Sequence, residues 1–190
     1  MVDIPGGVPF SGLLLAGGRS RRMGTDKALL PVGEAPLLDI MVDKMYRAGC
    51  DDVVVSRNES GYTQDIITDK GPLSGLHAGL PKCHHPRILV VPVDMPGLTV
   101  EAMRTLATAS EPVYFEDCAL PCALKRTADL KAYIENQLRS DNGRLSVYAL
   151  LKFIRAKALP RGDERTLYNT NTPEQWSTFW RSEETYHEGE

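Results

Sequence analysis

The 190-residue chain has no apolar run approaching the roughly 18 residues that a membrane span needs. It has no surplus of positive charge either: 22 Lys and Arg face 25 Asp and Glu, for a formal net charge of −3. A general nucleic-acid binder spreads a basic surface over phosphates, so neither nucleic acid nor membrane is expected as a partner. Met1–Ser11 contains Asp3 and neither Lys nor Arg. The basic start of a secretory signal is missing, and a cytoplasmic location is expected. The four cysteines, Cys50, Cys83, Cys118 and Cys122, include no C-x-x-C pair, which argues against a zinc knuckle or redox dithiol. In a reducing compartment they are expected as free thiols.

What is present is an ordinary globular balance, 42% hydrophobic and 25% charged. A chain of this length buries roughly 70% of its unfolded surface and supports one core, so a single domain over 1–190 is expected. Residues 1–10 read as a leader and 181–190 as a charged tail. Ser11–Ala16 is a short apolar run ending at Gly17-Gly18, the pattern of a buried parallel strand. Leu37, Leu38, Met41, Met45 and Ala48 recur at helical spacing over 36–49, with Gly49 as cap. Residues 51–55 then read as a strand, and β-α-β order predicts an α/β fold with a parallel sheet. Ile66-Ile67 reads as a short strand, 71–80 as a loop opening a helix, and 87–93 as the strongest strand. Helices are expected over 99–109 (Thr99 as N-cap), 127–139 and 144–152. Residues 112–115 and 120–124 read as a strand pair. Residues 166–169 read as extended, before a last helix beginning at Thr172-Pro173.

The stretch Leu15-Ala-Gly-Gly-Arg-Ser-Arg-Arg-Met-Gly-Thr-Asp-Lys27 carries the chemistry. It follows a buried strand, where open α/β sheets place ligands. Glycines let backbone amides approach a polyphosphate, and Arg19, Arg21, Arg22 and Lys27 supply positive charge. It is neither a Walker A loop nor a G-x-G-x-x-G fingerprint. Asp94 directly follows the strongest strand and faces the same sheet edge. It reads as a ligand for Mg²⁺, which often takes one or two carboxylates plus substrate phosphates, or else as a turn former. Asn169 and Asn171 alternate and share one face, suited to a substrate or to capping the last helix. Cys83-His84-His85 has no second cluster and is not read as a metal site.

The glycine-rich stretch resembles the signature of the molybdenum cofactor guanylyltransferase (MobA) family, L-A-G-G-x-S-x-R-M-G-x-D-K-x-L, at every fixed position through Leu29. Asp69-Lys-Gly-Pro-Leu-Ser-Gly75, Pro92-Val-Asp94-Met-Pro96 and Tyr168-Asn-Thr-Asn-Thr-Pro173 resemble later family motifs, with Ser74 in place of the usual Ala. The resemblance spans about residues 12–180. It implies a three-layer α/β/α nucleotidyltransferase of Rossmann-like type with a mostly parallel central sheet. It further implies transfer of GMP from GTP to molybdenum-molybdopterin, with release of pyrophosphate and with Mg²⁺ as cofactor. On that reading Lys27 meets the α-phosphate, Asp94 holds the metal, and Arg19 with the amides of Gly17 and Gly18 holds the leaving pyrophosphate. Leu15, Ala16 and Gly75 line the guanine pocket, Asp69 places the nucleoside, and Asn169 and Asn171 contact the pterin substrate. Transient contacts with molybdopterin-handling proteins and target apo-oxidoreductases are expected partners. The alternatives are cytidylyl transfer to molybdopterin, sugar-1-phosphate nucleotidylyl transfer, and a nucleotide- or pterin-binding protein without turnover.

Overall fold

Ser11–Leu15 forms the first strand, β1, and all five residues are buried. Successive side chains on a strand point to opposite faces, so an apolar run of this kind needs a covering layer on each side. It has both. Leu14 packs with the helices Leu37–Ala48 (α1) and Val100–Thr108 (α3). Leu13 and Leu15 pack with Pro72–Gly79 (α2), Ala128–Arg139 (α4) and Val147–Phe153 (α5). Each fully buried leucine contributes about 1.5–3 kcal/mol relative to exposure. The result is the expected three-layer α/β/α arrangement.

The computed structural model describes residues 7–17, 26–163, 165–170, 172 and 174–180. After β1 come the short hairpin strands Pro31–Val32 (β2) and Ala35–Pro36 (β3), then Asp52–Ser56 (β4), Arg87–Pro92 (β5), Val113–Phe115 (β6), Cys118–Lys125 (β7) and Lys157–Leu159 (β8). The main sheet has the order β4-β1-β5-β7-β6-β8. β1 pairs in parallel with β4 and β5, Leu13 lying between Val54 and Val90. β7 runs antiparallel to β5 and β6, and β8 runs parallel to β6. The chain goes from β1 to β4 and then crosses back over β1 to β5, so the strand order reverses at β1, where such sheets bind ligands.

Several predicted caps are present. Gly49 ends α1 at φ 110°, a conformation that suits glycine. Thr99 caps α3 by accepting from the Ala102 amide at 3.1 Å. Two expectations fail. Ile66-Ile67 is not a strand: Ile66 is 72% exposed. The edge of β4 is met instead by Thr63, which bridges Ser56, and Asn58 ties the loop to Asp65 by two hydrogen bonds at 2.8 and 2.9 Å. Residues 166–169 form no strand. Asp163 accepts from the amides of Arg165 and Thr166, and the chain turns over 165–167. The last helix covers 174–180, and Thr172 and Gln175 cap it reciprocally at 3.0 and 3.2 Å. Among the described residues no helix is long and apolar enough to cross a membrane.

Candidate active site

A cleft of about 540 Å³ opens at the carboxyl ends of β1 and β5. Backbone bonds prolong the sheet into it: the Ala16 amide donates to Ser56 at 2.9 Å and the Val93 amide to Leu15 at 3.0 Å. These bonds hold Ala16-Gly17 beside Val93-Asp94 as rigid neighbours. Lys27 reaches the cleft from a single 3-10 turn, Lys27–Leu29, which is capped by the Asp26 carboxylate and anchored by Ala28 in the core.

The Lys27 ammonium lies 3.9 Å from the Asp94 carboxylate, and both side chains are largely shielded from solvent. Burial pulls the Lys27 pKa below its ordinary value, opposed by the charge of Asp94. Burial pushes Asp94 above the usual carboxylate range, opposed by Lys27, by its own backbone amide and by the Asn169 side chain. Asn169 is brought there by its neighbour: Thr170 donates to the Asp94 carbonyl through its amide at 2.9 Å and through its hydroxyl at 3.1 Å. Asp94 Oδ1 and Asn169 Oδ1 are both buried and have no hydrogen-bond partner among the described residues. Two orphaned hard oxygens beside a phosphate-sized space suit a hard divalent cation completed by substrate oxygens and water. The described residues include no cluster of three or more His, Cys, Asp or Glu, so a cage built from protein carboxylates alone is not formed there.

A second, polar cavity of about 840 Å³ adjoins the first. Ala16, Gly17, Asp26 and Gly71 line both. Its far wall carries Asn58, Glu59, Asp65 and Asp69. Asp69 adopts a left-handed φ of 60°, and Gly71 combines φ 66° with ψ −149°, a conformation essentially reserved for glycine. This turn brings the start of α2 against both cavities. The lining of the first cleft also includes Asp117 and Cys118 with Ala119, Leu120, Val147 and Tyr148, a mostly apolar stretch with one aromatic ring. Tyr148 is 46% exposed, and its ring meets Tyr114 edge-on at 6.1 Å and 83°.

Leu15, Ala16, Gly17, Lys27, Asp94 and Asn169 therefore come together at one cleft, and Asp69 lies in the adjoining cavity. Gly75 lines neither. It sits inside α2, where an added Cβ would lie 2.8 Å from Ser56 Oγ and 3.0 Å from Leu15 Cδ2, so its small size serves helix-to-sheet packing. Gly18, Arg19, Arg21, Arg22 and Asn171 fall outside the described residues. The capping alternative for the asparagines does not hold for Asn169, because Thr172 caps the last helix. Sequence reasoning missed Asp26, Arg57 and Tyr148. Arg57 had a usable signal: it follows β4 directly, at the sheet edge where Asp94 lies two residues past β5.

Residues 12–160 match the family described as MobA-like NTP transferase domain. A molybdenum cofactor guanylyltransferase from Xanthomonas euvesicatoria pv. vesicatoria (strain 85-10) is 39% identical over 176 residues, covering 89% of this chain and 93% of that protein. One of the same name from Ectopseudomonas mendocina (strain ymp) is 35% identical, covering 87% and 89%. Among solved structures, the molybdopterin-guanine dinucleotide biosynthesis protein A of Archaeoglobus fulgidus superposes with a TM-score of 0.72 at 17% identity, covering 94% of this chain and 99% of that one. A nucleotidyl transferase from Methanothermobacter thermautotroptrophicus gives 0.70 at 20% identity, covering 93% and 100%. At those identities the structural likeness establishes the fold.

Proposed function

The chain belongs to the MobA-like NTP transferase family, and on that premise we propose that it transfers GMP from GTP to the terminal phosphate of molybdenum-molybdopterin, releasing pyrophosphate. The observation that carries the reading is the Lys27–Asp94 pair, with the unpartnered oxygens of Asp94 and Asn169, in a cleft that carries Tyr148 on its lining and adjoins a polar cavity. The polar cavity takes the nucleoside of GTP, with Asp69 on its wall. The stretch of the cleft around Tyr148 takes the flat pterin, for which that edge-held ring offers a stacking surface. The two substrates then meet over the small residues Ala16, Gly17 and Gly71.

The reacting oxygen is a phosphate oxygen and already anionic, so no strong general base is required. The obstacle is the approach of one anion to another and the charge that gathers at the α-phosphorus. Lys27 places a compact positive charge there, and the Ala16-Gly17 backbone keeps the phosphate path open. Asp94 and Asn169 would hold Mg²⁺, which when bound supplies polarisation of the α-phosphate and orientation of the reacting groups. Arg19 and Gly18 act on the departing pyrophosphate in the same reading.

The test is steady-state pyrophosphate release with molybdopterin acceptor and GTP, CTP or ATP as donor. A pocket that pairs with a guanine edge leaves polar groups unsatisfied when another base enters, so GTP should give the highest kcat/KM. CTP as the better donor would replace the proposal with cytidylyl transfer.

A further inference from the structure

Beside the Lys27–Asp94 pair lies a second ion pair that the reaction as described does not use. Arg57, 5% exposed, grips Asp26 with both ends of its guanidinium: Nη1 donates to Oδ1 at 3.1 Å and Nη2 to Oδ2. Asp26 Oδ1 also accepts from the Ala28 amide at 3.1 Å, capping the turn that carries Lys27. Arg57 is itself fixed. It follows β4, its amide donates to the Thr63 carbonyl at 2.9 Å, and its guanidinium lies 5.7 Å from the centre of the Tyr62 ring. A bidentate fork fixes direction as well as distance, which a single ammonium contact does not.

We propose that Arg57 is a positioning residue for Lys27, acting through Asp26. This rests on the reading of Lys27 as the α-phosphate contact. The clamp does two things. It joins the outgoing end of the glycine-rich loop to the sheet edge at β4, so the Lys27 backbone is held on one side by Ala28 in the core and on the other by Asp26. It also occupies the Asp26 carboxylate. Asp26 adjoins Lys27 in the chain and lines the same cleft. Stripped of Arg57 it becomes an uncompensated anion at the edge of the cleft and no longer fixes the turn that carries Lys27. The hydrogen bonds between them hold the Asp26 carboxyl below its ordinary range and the Arg57 guanidinium above its own, in accord with a clamp that stays charged.

The experiment has one readout independent of turnover. Substrate-free wild type, Arg57→Ala and Arg57→Lys are treated with a small amine-acylating ester, and modification of each lysine is followed by peptide mass spectrometry. Acylation at Lys27 should rise several-fold in Arg57→Ala and less in Arg57→Lys. Lys44, whose ammonium is held by the Pro96 and Leu98 carbonyls, should not change and so reports general loosening. In turnover, Arg57→Ala should lower kcat on the order of 100-fold, as for a reacting group displaced by about 1 Å, with KM for GTP little changed. Arg57→Lys should recover part of the loss. In a Lys27→Ala background, Arg57→Ala should add little further loss, because both act through one group. Unchanged Lys27 acylation and unchanged kcat in Arg57→Ala would overturn the proposal. So would a loss fully additive with Lys27→Ala, which would make Arg57 a direct substrate contact. Raised acylation beside a Lys27→Ala variant of normal turnover would uphold the clamp and overturn the phosphate role of Lys27.

Discussion

Replacing Asp94 by Asn keeps its size and removes its charge, and the surroundings of the carboxylate fix what should follow. At 3.9 Å, and with an effective dielectric of about 20 for this partly shielded site, the attraction to Lys27 is about 4 kcal/mol. The Asp94 pKa nevertheless lies above its ordinary 3.8, so burial outweighs that attraction together with the help of Asn169. The sign of the stability effect follows. Below 3.8 the carboxyl is protonated in folded and unfolded chains alike and favours neither. As pH rises from 3.8 through the raised native value, the unfolded chain ionises first and a penalty on folding builds up, then stays constant. At neutral pH, Asp94→Asn should therefore melt at or above the wild-type temperature, the gap narrowing as pH falls toward 3.8. Turnover should move the other way, falling on the order of 100-fold or more, about 2.7 kcal/mol of transition-state stabilisation. Thermal melts across the acid range, with pyrophosphate release at saturating Mg²⁺, test both halves. Wild-type turnover in Asp94→Asn would refute the assignment of this carboxylate to the reaction. A neutral-pH melting temperature well below wild type would refute the claim that its charge costs the substrate-free fold stability.

Lys27→Ala should lower kcat strongly with the fold intact, and Lys27→Arg should rescue only in part because a planar guanidinium cannot place a compact charge at the same point; kinetics beside melts decide. Tyr148→Ala should raise the acceptor KM by roughly 3–10-fold and leave the GTP KM alone, since one aromatic contact is worth about 0.5–1.5 kcal/mol; titrating acceptor at fixed GTP shows which constant moves. Gly79→Ala should destabilise by about 1–3 kcal/mol, read by urea unfolding, because its Cβ would lie 2.4 Å from Cδ1 of the fully buried Leu13.

Periodicity alone recovered the sheet's buried heart and the helices that cover it. Leu13-Leu14 and Val90-Val91 are unbroken apolar pairs because both faces of β1 and β5 are covered, and Met41 and Met45 repeat at the spacing of one helical face. The short strands β2, β3 and β8 escaped notice, since two or three residues with prolines or half-exposed side chains carry no period. Ile66 misled because hydrophobicity was read as burial, while the loop's shape is set by Asn58 and Asp65. At the candidate site, the meeting of Lys27 with Asp94 was legible because ligand-facing positions lie at the carboxyl ends of strands. The same rule covered Arg57, but a lone arginine after a strand looks like a solvated charge until Asp26, 31 residues earlier, is seen against it. Gly75 shows another demand on a motif glycine: its lack of a side chain lets α2 fit against Ser56 and Leu15.

The place of β1 between β4 and β5 bears on how the chain is made. β4 follows β1 within about forty residues and covers one of its edges. The other edge waits for β5, whose Ile88–Pro92 pairs with Ser11–Leu15. Through that interval a strand whose five residues are all buried in the finished sheet offers an open row of backbone donors and acceptors, the template on which strands from other chains add. A nascent or prematurely terminated chain ending before Arg87 leaves β1 with an unpaired edge, and one ending just after Pro92 passes that open edge on to β5 until β7 arrives. Synthesis speed across residues 57–92 then becomes a determinant of yield, although few of those residues belong to the sheet.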